Sequence, residues 1–166
     1  SVTDFDRKDL STTMGKRTAL GLTELFLEWD DISPEEQRKR LDWLKELGFS
    51  LTVVNSGNKS LHGHLHLTQM ESFEDVFPVL KLLSALAGSD CAVVSKARRM
   101  RLAGAHRPNK LRTRGSAATN EQKLLERAES CYELSEVRRV LEAEATARGW
   151  LIDHIETRWT MYREAR

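Results

Sequence analysis

The stretch VVNSGNKSLHGHLHL, residues 53–67, joins a short apolar run, a turn of small polar residues and a segment with a histidine at every second position. Successive side chains of a β-strand point to opposite faces of a sheet, so His62, His64 and His66 share one face. Gly57 and its small polar neighbours are typical of a tight turn between strands. The stretch therefore predicts a strand–turn–strand unit with a row of imidazoles on one face.

Hydrophobic periodicity around this unit predicts alternating strands and helices. Ser33, Pro34 and Glu36 form a helix start with a capping box, and Ser72 and Gly88 bracket a second helix. The predicted order is strand 22–30, helix 33–48, strand 49–55, strand 61–69, helix 72–88 and strand 90–95. This order is that of the RRM-like or ferredoxin-like split βαβ unit, an α+β fold whose helices cover one face of the sheet and leave the other face open.

The last third of the chain has a different character. The tetrapeptide TNEQ, residues 119–122, fits a capping box and predicts a helix through KLLERAESCYEL. Residues 135–149 and 150–165 predict further helical segments. The sequence thus predicts two domains. The α+β core comprises residues 1–115, and a helical appendage in residues 116–166 forms a small C-terminal bundle.

The bulk composition is that of a water-soluble globular protein. The chain has 166 residues, is 40% hydrophobic and 31% charged, and carries a formal net charge of +1. It has no apolar run long enough for a membrane span and no signal peptide, so no membrane partner is expected. Cys91 and Cys131 lack metal-ligand or disulfide-framework spacing. A cytoplasmic location is therefore predicted.

The small net charge conceals a strongly basic segment. Residues 91–114 contain eight basic side chains and no acidic one, whereas the segments on either side are net acidic. Such a block without counter-charge favours a polyanionic partner such as nucleic acid. A flexible basic linker is the alternative interpretation.

Two carboxylates follow the first predicted strand at alternate positions. Glu28 and Asp30 share a face, and the first and third strands of the split unit are neighbours, so these acids are expected beside the histidine row. Asp90, after the second helix, is the candidate third acid. Three carboxylates can hold two Mg²⁺ or Mn²⁺ ions for in-line phosphoryl transfer. The alternatives are a solvated strand end, and Asp31 in place of Asp30 as the ligand.

The SGNKS turn, residues 56–60, offers a second kind of chemistry. Gly57 and the small residues let backbone N–H groups approach an anion, and Lys59 adds a positive charge. Hairpin turns favour the same residue types for purely structural reasons. Directly before His62, the turn predicts a cradle for a triphosphate.

Taken together, these motifs resemble the archaeo-eukaryotic primase superfamily, the catalytic core of primase-polymerases found in plasmid, phage or bacterial replication proteins. The resemblance rests on Glu28-Trp-Asp30, on SGNKSLH at residues 56–62, and on Asp90 followed by RRMRLAG. It covers about residues 22–112. The first acid is Glu, where the family more often has Asp, which lengthens that ligand arm.

The resemblance implies template-directed nucleotidyl transfer that makes primers on single-stranded DNA with Mg²⁺ or Mn²⁺. The implied metal-binding catalytic acids are Glu28, Asp30 and Asp90. The implied nucleotide-binding residues are Ser56, Lys59, Ser60, His62 and Arg101. The implied nucleic-acid-binding residues are Arg98, Arg99, Arg107, Lys110, Arg112 and Arg114. Single-stranded template, nucleoside triphosphates and a replicative helicase are the implied partners, in the cytoplasm of a bacterium or of a bacterial host of a phage or plasmid.

Two other interpretations remain open from the sequence. A histidine pair at alternate strand positions chelates zinc or iron well, so His62, His64 and His66 also fit a histidine-metal enzyme. A non-catalytic nucleic-acid-binding module is the second possibility. Such sheets usually stack bases on exposed aromatic side chains, and Phe26 is the only aromatic residue predicted on this face.

Overall fold

The computed structural model describes residues 21–57, 60–94, 121–150, 159–160 and 164. Its elements alternate strands and helices, as the periodicity predicts, over the first part of the chain. They are β1 (Gly21–Glu28), α1 (Pro34–Glu46), β2 (Thr52–Asn55), β3 (Leu61–Ser72), α2 (Phe73–Ala87), a 3₁₀ turn (Cys91–Val93), β4 (Lys123–Glu126) and α3 (Leu134–Ala147).

The four described strands form one antiparallel sheet in the order β1-β3-β2-β4. β1 and β3 pair along most of their length, with Leu25 opposite Leu65 and Glu28 opposite His62. The predicted adjacency of the first and third strands is therefore confirmed. This register places the acid-bearing end of β1 against the start of β3, where the histidine row begins.

Both predicted helix starts are confirmed by their caps. The Ser33 hydroxyl accepts a hydrogen bond from the Glu36 amide at 3.2 Å, and Pro34 is the first helical residue of α1. The Ser72 hydroxyl caps α2 in the same way through the Asp75 amide. These bonds satisfy amides that have no partner within their own helix.

The core lies between the sheet and the helices. Leu25 and Leu27 of β1, together with Trp29 just beyond it, point toward α1 and α2 and are almost completely buried. Helix α3 packs against α2 and adds Val137 and Leu141 to the same cluster. The alternation predicted for β1 thus separates the side chains that enter the core from those on the opposite face of the sheet.

The strand predicted at residues 90–95 is wrong over Cys91–Val93, which form a 3₁₀ turn. The amide of Asp90 bonds to the carbonyl of Glu28 at 2.8 Å and its carboxylate caps the turn through the Ala92 amide, which favours a turn there over an extended strand. The complete split unit is therefore not established, although the α+β class is confirmed.

The helix predicted from residue 119 is also wrong where the chain is described. Lys123–Glu126 form β4, which pairs with β2 at its outer edge. The open edge of β2 offers backbone hydrogen bonds, and the Glu126 carboxylate accepts ion pairs from Arg38 and Lys45 of α1. These tertiary contacts outweigh the helix propensity of a four-residue segment.

The helical appendage is described only in part. Helix α3 lies where the second appended helix is predicted, and residues 159, 160 and 164 are helical. The predicted boundary at residues 115 and 116 lies outside the described residues, so the two-domain division stays a prediction. None of the helices in the described ranges is long and apolar enough to cross a membrane.

The face of the sheet predicted to be open is closed at its centre. Phe26, His62 and His64 are each at most 6% exposed. The Phe26 ring meets both imidazoles edge-on, at centroid distances of 5.2 and 5.1 Å. Side chains at the centre of this face therefore pack against one another. Asp30, at one end of the face, and His66, at the other end, keep contact with solvent.

Candidate active site

Three carboxylates converge where β1 ends. Glu28, Asp30 and Asp90 each bring an oxygen within 4.8 Å of the other two. Glu28 is buried, Asp90 is half-buried and Asp30 is exposed, so the cluster opens toward solvent on the Asp30 side. The structure thus brings together the three acids that the sequence predicts, and it places Asp30, rather than Asp31, in the cluster.

Asp90 is fixed by bonds on both sides of the turn that carries it. Its amide donates to the Glu28 carbonyl at 2.8 Å. The indole of fully buried Trp29 donates to the Ala87 carbonyl at 3.1 Å, which ties the residue after Glu28 to the end of α2. The hydroxyls of Ser84 and Ser89 share a 2.9 Å hydrogen bond in the buried turn. The third acid is consequently held against the first by a rigid connection.

The end of α2 adds a further constraint on the same turn. Gly88 has the left-handed conformation, with φ of 59°, that ends helices without strain only at glycine. Arg40 of α1 donates to the carbonyl oxygens of Ala87 and Gly88 at 3.0 and 2.7 Å. Arg148, beyond α3, donates to the Leu86 carbonyl at 3.1 Å. Two guanidinium groups therefore satisfy the last carbonyls of α2, where the helix dipole favours positive charge.

The turn between β2 and β3 places two polar side chains against the acids. The Ser60 hydroxyl donates to an Asp30 carboxylate oxygen, and the His62 Nε2 lies 3.5 Å from a Glu28 oxygen. Ser56 closes the turn, since its amide donates to the Ser60 carbonyl at 2.9 Å and its hydroxyl accepts from the Ser60 amide at 3.2 Å. Ser60 and His62 therefore contact Asp30 and Glu28, respectively.

The remainder of the histidine row has different partners. His64 and His66 approach one carboxylate oxygen of Glu24 through their Nδ1 atoms, at 3.1 and 3.6 Å. The Nε2 of His66 shares a 2.8 Å hydrogen bond with the Thr52 hydroxyl. Within the described ranges, the acids Glu28, Asp30 and Asp90 are the one group whose ligand atoms converge as a metal site requires. This arrangement disfavours a metal held by the three histidines.

The three acids fit a divalent cation by their donor chemistry. Carboxylate oxygens are the ligands that Mg²⁺ and Mn²⁺ prefer. At metal–oxygen distances of about 2.1 Å, neighbouring ligands of one ion lie roughly 3–4 Å apart, so only small side-chain movements separate this cluster from a coordinating geometry. Like charges this close repel one another, and a bound cation would remove that repulsion.

Many predicted ligand-binding residues lie outside the described residues. They are Lys59, Arg98, Arg99, Arg101, Arg107, Lys110, Arg112 and Arg114. Their predicted contacts with nucleotide and nucleic acid stay predictions.

Sequence reasoning missed Gln37, which is fully buried in α1. Its side-chain amide donates to the Ile32 carbonyl at 2.9 Å, and its side-chain oxygen accepts from the Leu61 amide at 2.6 Å. A signal for it was present, because Gln37 continues the apolar stripe formed by Leu41 and Leu44 at helical spacing. A polar residue in such a stripe requires buried hydrogen-bond partners.

The fold matches that of a solved primase-polymerase domain. The AEP domain of the primase-polymerase of cyanophage S-2L superposes with a TM-score of 0.60, over 74% of this chain and 61% of that one, at 21% sequence identity. No protein-family model matches the sequence, and a comparison with curated proteins gives no match. At this identity the comparison shows a shared fold, which agrees with the fold that the motif resemblance implies. The chain spans less than two thirds of the length of the solved domain.

Proposed function

We propose that this chain is the catalytic core of a primase-polymerase that synthesises primers on single-stranded DNA from nucleoside triphosphates. One observation carries the proposal. The three acids predicted to bind metal meet one another and also meet Ser60 and His62, on a sheet whose fold is that of a primase-polymerase domain.

The proposed reaction is a nucleotidyl transfer. The 3′ oxygen of the primer attacks the α-phosphorus of the incoming triphosphate, the bond to pyrophosphate breaks, and the hydroxyl proton passes to solvent. Mg²⁺ or Mn²⁺, when bound, supplies charge that stabilises the attacking and leaving oxygens. Glu28, Asp30 and Asp90 are the residues that would hold it.

The chain's own side chains have separate tasks in this proposal. Ser60 and His62 lie against Asp30 and Glu28 at the β2–β3 turn, and they are proposed to bind the phosphates of the triphosphate. Ser56 closes the turn, and Gly57 adopts φ of 74°, a conformation that glycine accepts without strain. Lys59 and Arg101 are proposed to add positive charge to the phosphate site. The basic residues 98–114 are proposed to bind the template strand.

The burial of Phe26 disfavours a purely nucleic-acid-binding module. Sheets that read single-stranded bases do so on exposed aromatic rings, whereas Phe26 is 5% exposed between two imidazoles. A site built around acids also repels the phosphate backbone unless cations are present. Catalysis therefore accounts for this face better than base stacking does.

The direct test is a primer-synthesis assay on single-stranded DNA with ribo- or deoxyribonucleoside triphosphates and Mg²⁺ or Mn²⁺. We expect product that grows with time, requires template and disappears in excess chelator. Product formation that is equally fast in excess chelator would contradict the proposal. A pull-down with a replicative helicase would test the remaining predicted partner.

A further inference from the structure

Gln37 links two segments that carry different parts of the proposed site. Its side-chain NH₂ donates to the carbonyl of Ile32, in the loop that follows Asp30, and its side-chain oxygen accepts from the amide of Leu61. Leu61 is the residue between Ser60 and His62. A single side chain therefore contacts the backbone of both the acid-bearing loop and the Ser-x-His segment.

The position of Gln37 makes this link rigid. Its own amide donates to the carbonyl of the N-cap Ser33 at 3.0 Å, so it belongs to the first bonded turn of α1. Its side chain is 0% exposed, and therefore water does not compete for either hydrogen bond. The bond to Ile32 has an ordinary length of 2.9 Å, and the bond from Leu61 measures 2.6 Å.

Simple core packing does not require an amide at this position. Leu41 and Leu44 continue the same buried stripe of α1 with aliphatic side chains, and methionine has nearly the same length as glutamine. Burying an amide is favourable only when its polar atoms are bonded, as they are here. The gain from glutamine at this site is therefore the fixed spacing between the two backbone segments.

We propose that Gln37 is a positioning residue that holds Ser60 and His62 at the correct distance from Asp30 and Glu28, and thereby sets the affinity for the triphosphate. This inference rests on the proposed function. It assigns to α1 a role in the site that goes beyond covering the sheet.

The experiment compares three substitutions in α1. Gln37→Met removes both hydrogen bonds and keeps the side-chain length, whereas Gln37→Glu keeps the acceptor for the Leu61 amide and loses the donor to Ile32. Leu44→Met is the matched control, because it changes a buried residue of the same stripe whose side chain has no polar atom to bond either segment. Titration calorimetry measures the Kd of each variant for ATP and dATP with Mn²⁺. The KM, the kcat and the thermal midpoint of each variant are measured in parallel.

We expect Gln37→Met to raise Kd and KM about tenfold, since ångström-scale misplacement of a binding group costs up to about a hundredfold. Gln37→Glu should show a smaller rise, and Leu44→Met should bind as the wild type does. A folded Gln37→Met variant with wild-type Kd and only a lower thermal midpoint would overturn the positioning role.

A second measurement keeps the inference testable if Gln37→Met does not fold. Hydrogen exchange of the amides in the loop that carries Ile32 should be faster in the other variant, Gln37→Glu, than in Leu44→Met, because the carboxylate no longer donates to the Ile32 carbonyl, whereas the Leu61 amide keeps its acceptor. Equal exchange, together with wild-type Kd in Gln37→Glu, would refute the role. A wild-type chain that binds neither triphosphate would instead refute the proposed function itself.

Discussion

The amide of Asp90 donates a 2.8 Å hydrogen bond to the carbonyl of Glu28, so the first and third acids are joined through their backbones as well as through their side-chain cluster. The bond crosses from the end of β1 to the turn after α2. Because it involves no side chain, replacing either carboxylate leaves the connection in place. Asparagine at position 90 also keeps a side-chain oxygen that can accept from the Ala92 amide, so the acids can be tested one at a time.

Asp30→Asn and Asp90→Asn are each expected to reduce nucleotide addition by about two orders of magnitude or more, because charge stabilisation by the cation contributes several kcal/mol. The thermal midpoint should stay the same or rise, since each change removes repulsion within the cluster. Primer extension and thermal unfolding measure the two effects. Asp31→Asn is the control, as Asp31 is an exposed neighbour outside the cluster, and loss of activity in that variant would contradict the ligand assignment.

His62→Gln is expected to weaken triphosphate binding more than His64→Gln does. His62 lies against Glu28, within the acid cluster, whereas His64 is bonded to Glu24 away from it. Replacing His64 should mainly lower the thermal midpoint, because it is buried against Phe26. Titration of ATP measures the first effect. Equal losses in both variants, with zinc bound to the purified protein, would favour the histidine-metal interpretation.

Glu126→Gln is expected to make the protein less stable at neutral pH but less sensitive to acid. Burial raises the pKa of Glu126, but hydrogen bonds from Lys45 and Arg38 outweigh it and hold the pKa below its ordinary value of 4.5. A depressed pKa gives stability that is present above pH 4.5 and is lost as the pH falls through the folded-state value. Urea unfolding at pH 7 and pH 3.5 should show a difference between wild type and variant that shrinks in acid. A constant difference would contradict the ion-pair assignment.

Gly88→Ala is expected to destabilise the protein by about 1–2 kcal/mol, since a left-handed φ strains any residue with a Cβ. The new Cβ would clash with a guanidinium nitrogen of Arg40, so the Arg40 side chain that caps α2 must also shift. Gly149→Ala is the matched control, with a similar φ of 71° and open space around its Cβ. Urea unfolding compares the two variants. We expect Gly88→Ala to be the more costly and to slow primer extension, and equal effects would exclude a role for the Arg40 contact.

Affinity for single-stranded DNA is expected to fall with salt, with a log–log slope of about −0.7 for each phosphate contacted by residues of the basic segment. Arg101→Ala should reduce nucleotide use as well as template binding, and Arg114→Ala should reduce template binding alone. Filter binding across a salt series and KM for the triphosphate separate these effects. A salt-independent affinity, or equal effects of the two variants on KM, would remove the support for this assignment.

Local signals in the sequence were enough to predict the two strands and two helices that surround the acid cluster, β1, β3, α1 and α2. The caps at Ser33 and Ser72 determine where α1 and α2 begin, and alternation in β1 and β3 separates the site face from the core face. The meeting of Glu28 with His62 followed from strand adjacency alone. These features depend on neighbours in the sequence or on one topological rule.

The features that escaped prediction depend on partners far along the chain. β4 has no strand-like pattern of its own, and it becomes a strand because β2 has a free edge and because Arg38 and Lys45 bind Glu126. The sequence of residues 91–93 predicts a strand, but the hydrogen bonds that Asp90 makes with Glu28 and Ala92 favour a turn. The role of Gln37 requires two backbone groups that no local pattern identifies.

The late position of β4 in the chain has a consequence for synthesis on the ribosome. Val54 in β2 pairs with His62 on one side and with Leu124 on the other. The inner edge of β2 can pair as soon as β3 has emerged, but the outer edge must wait until β4 has been made. Nascent chains that end before β4 therefore carry an unpaired strand edge, the kind of surface that promotes aggregation, so truncations upstream of Lys123 should accumulate as insoluble protein.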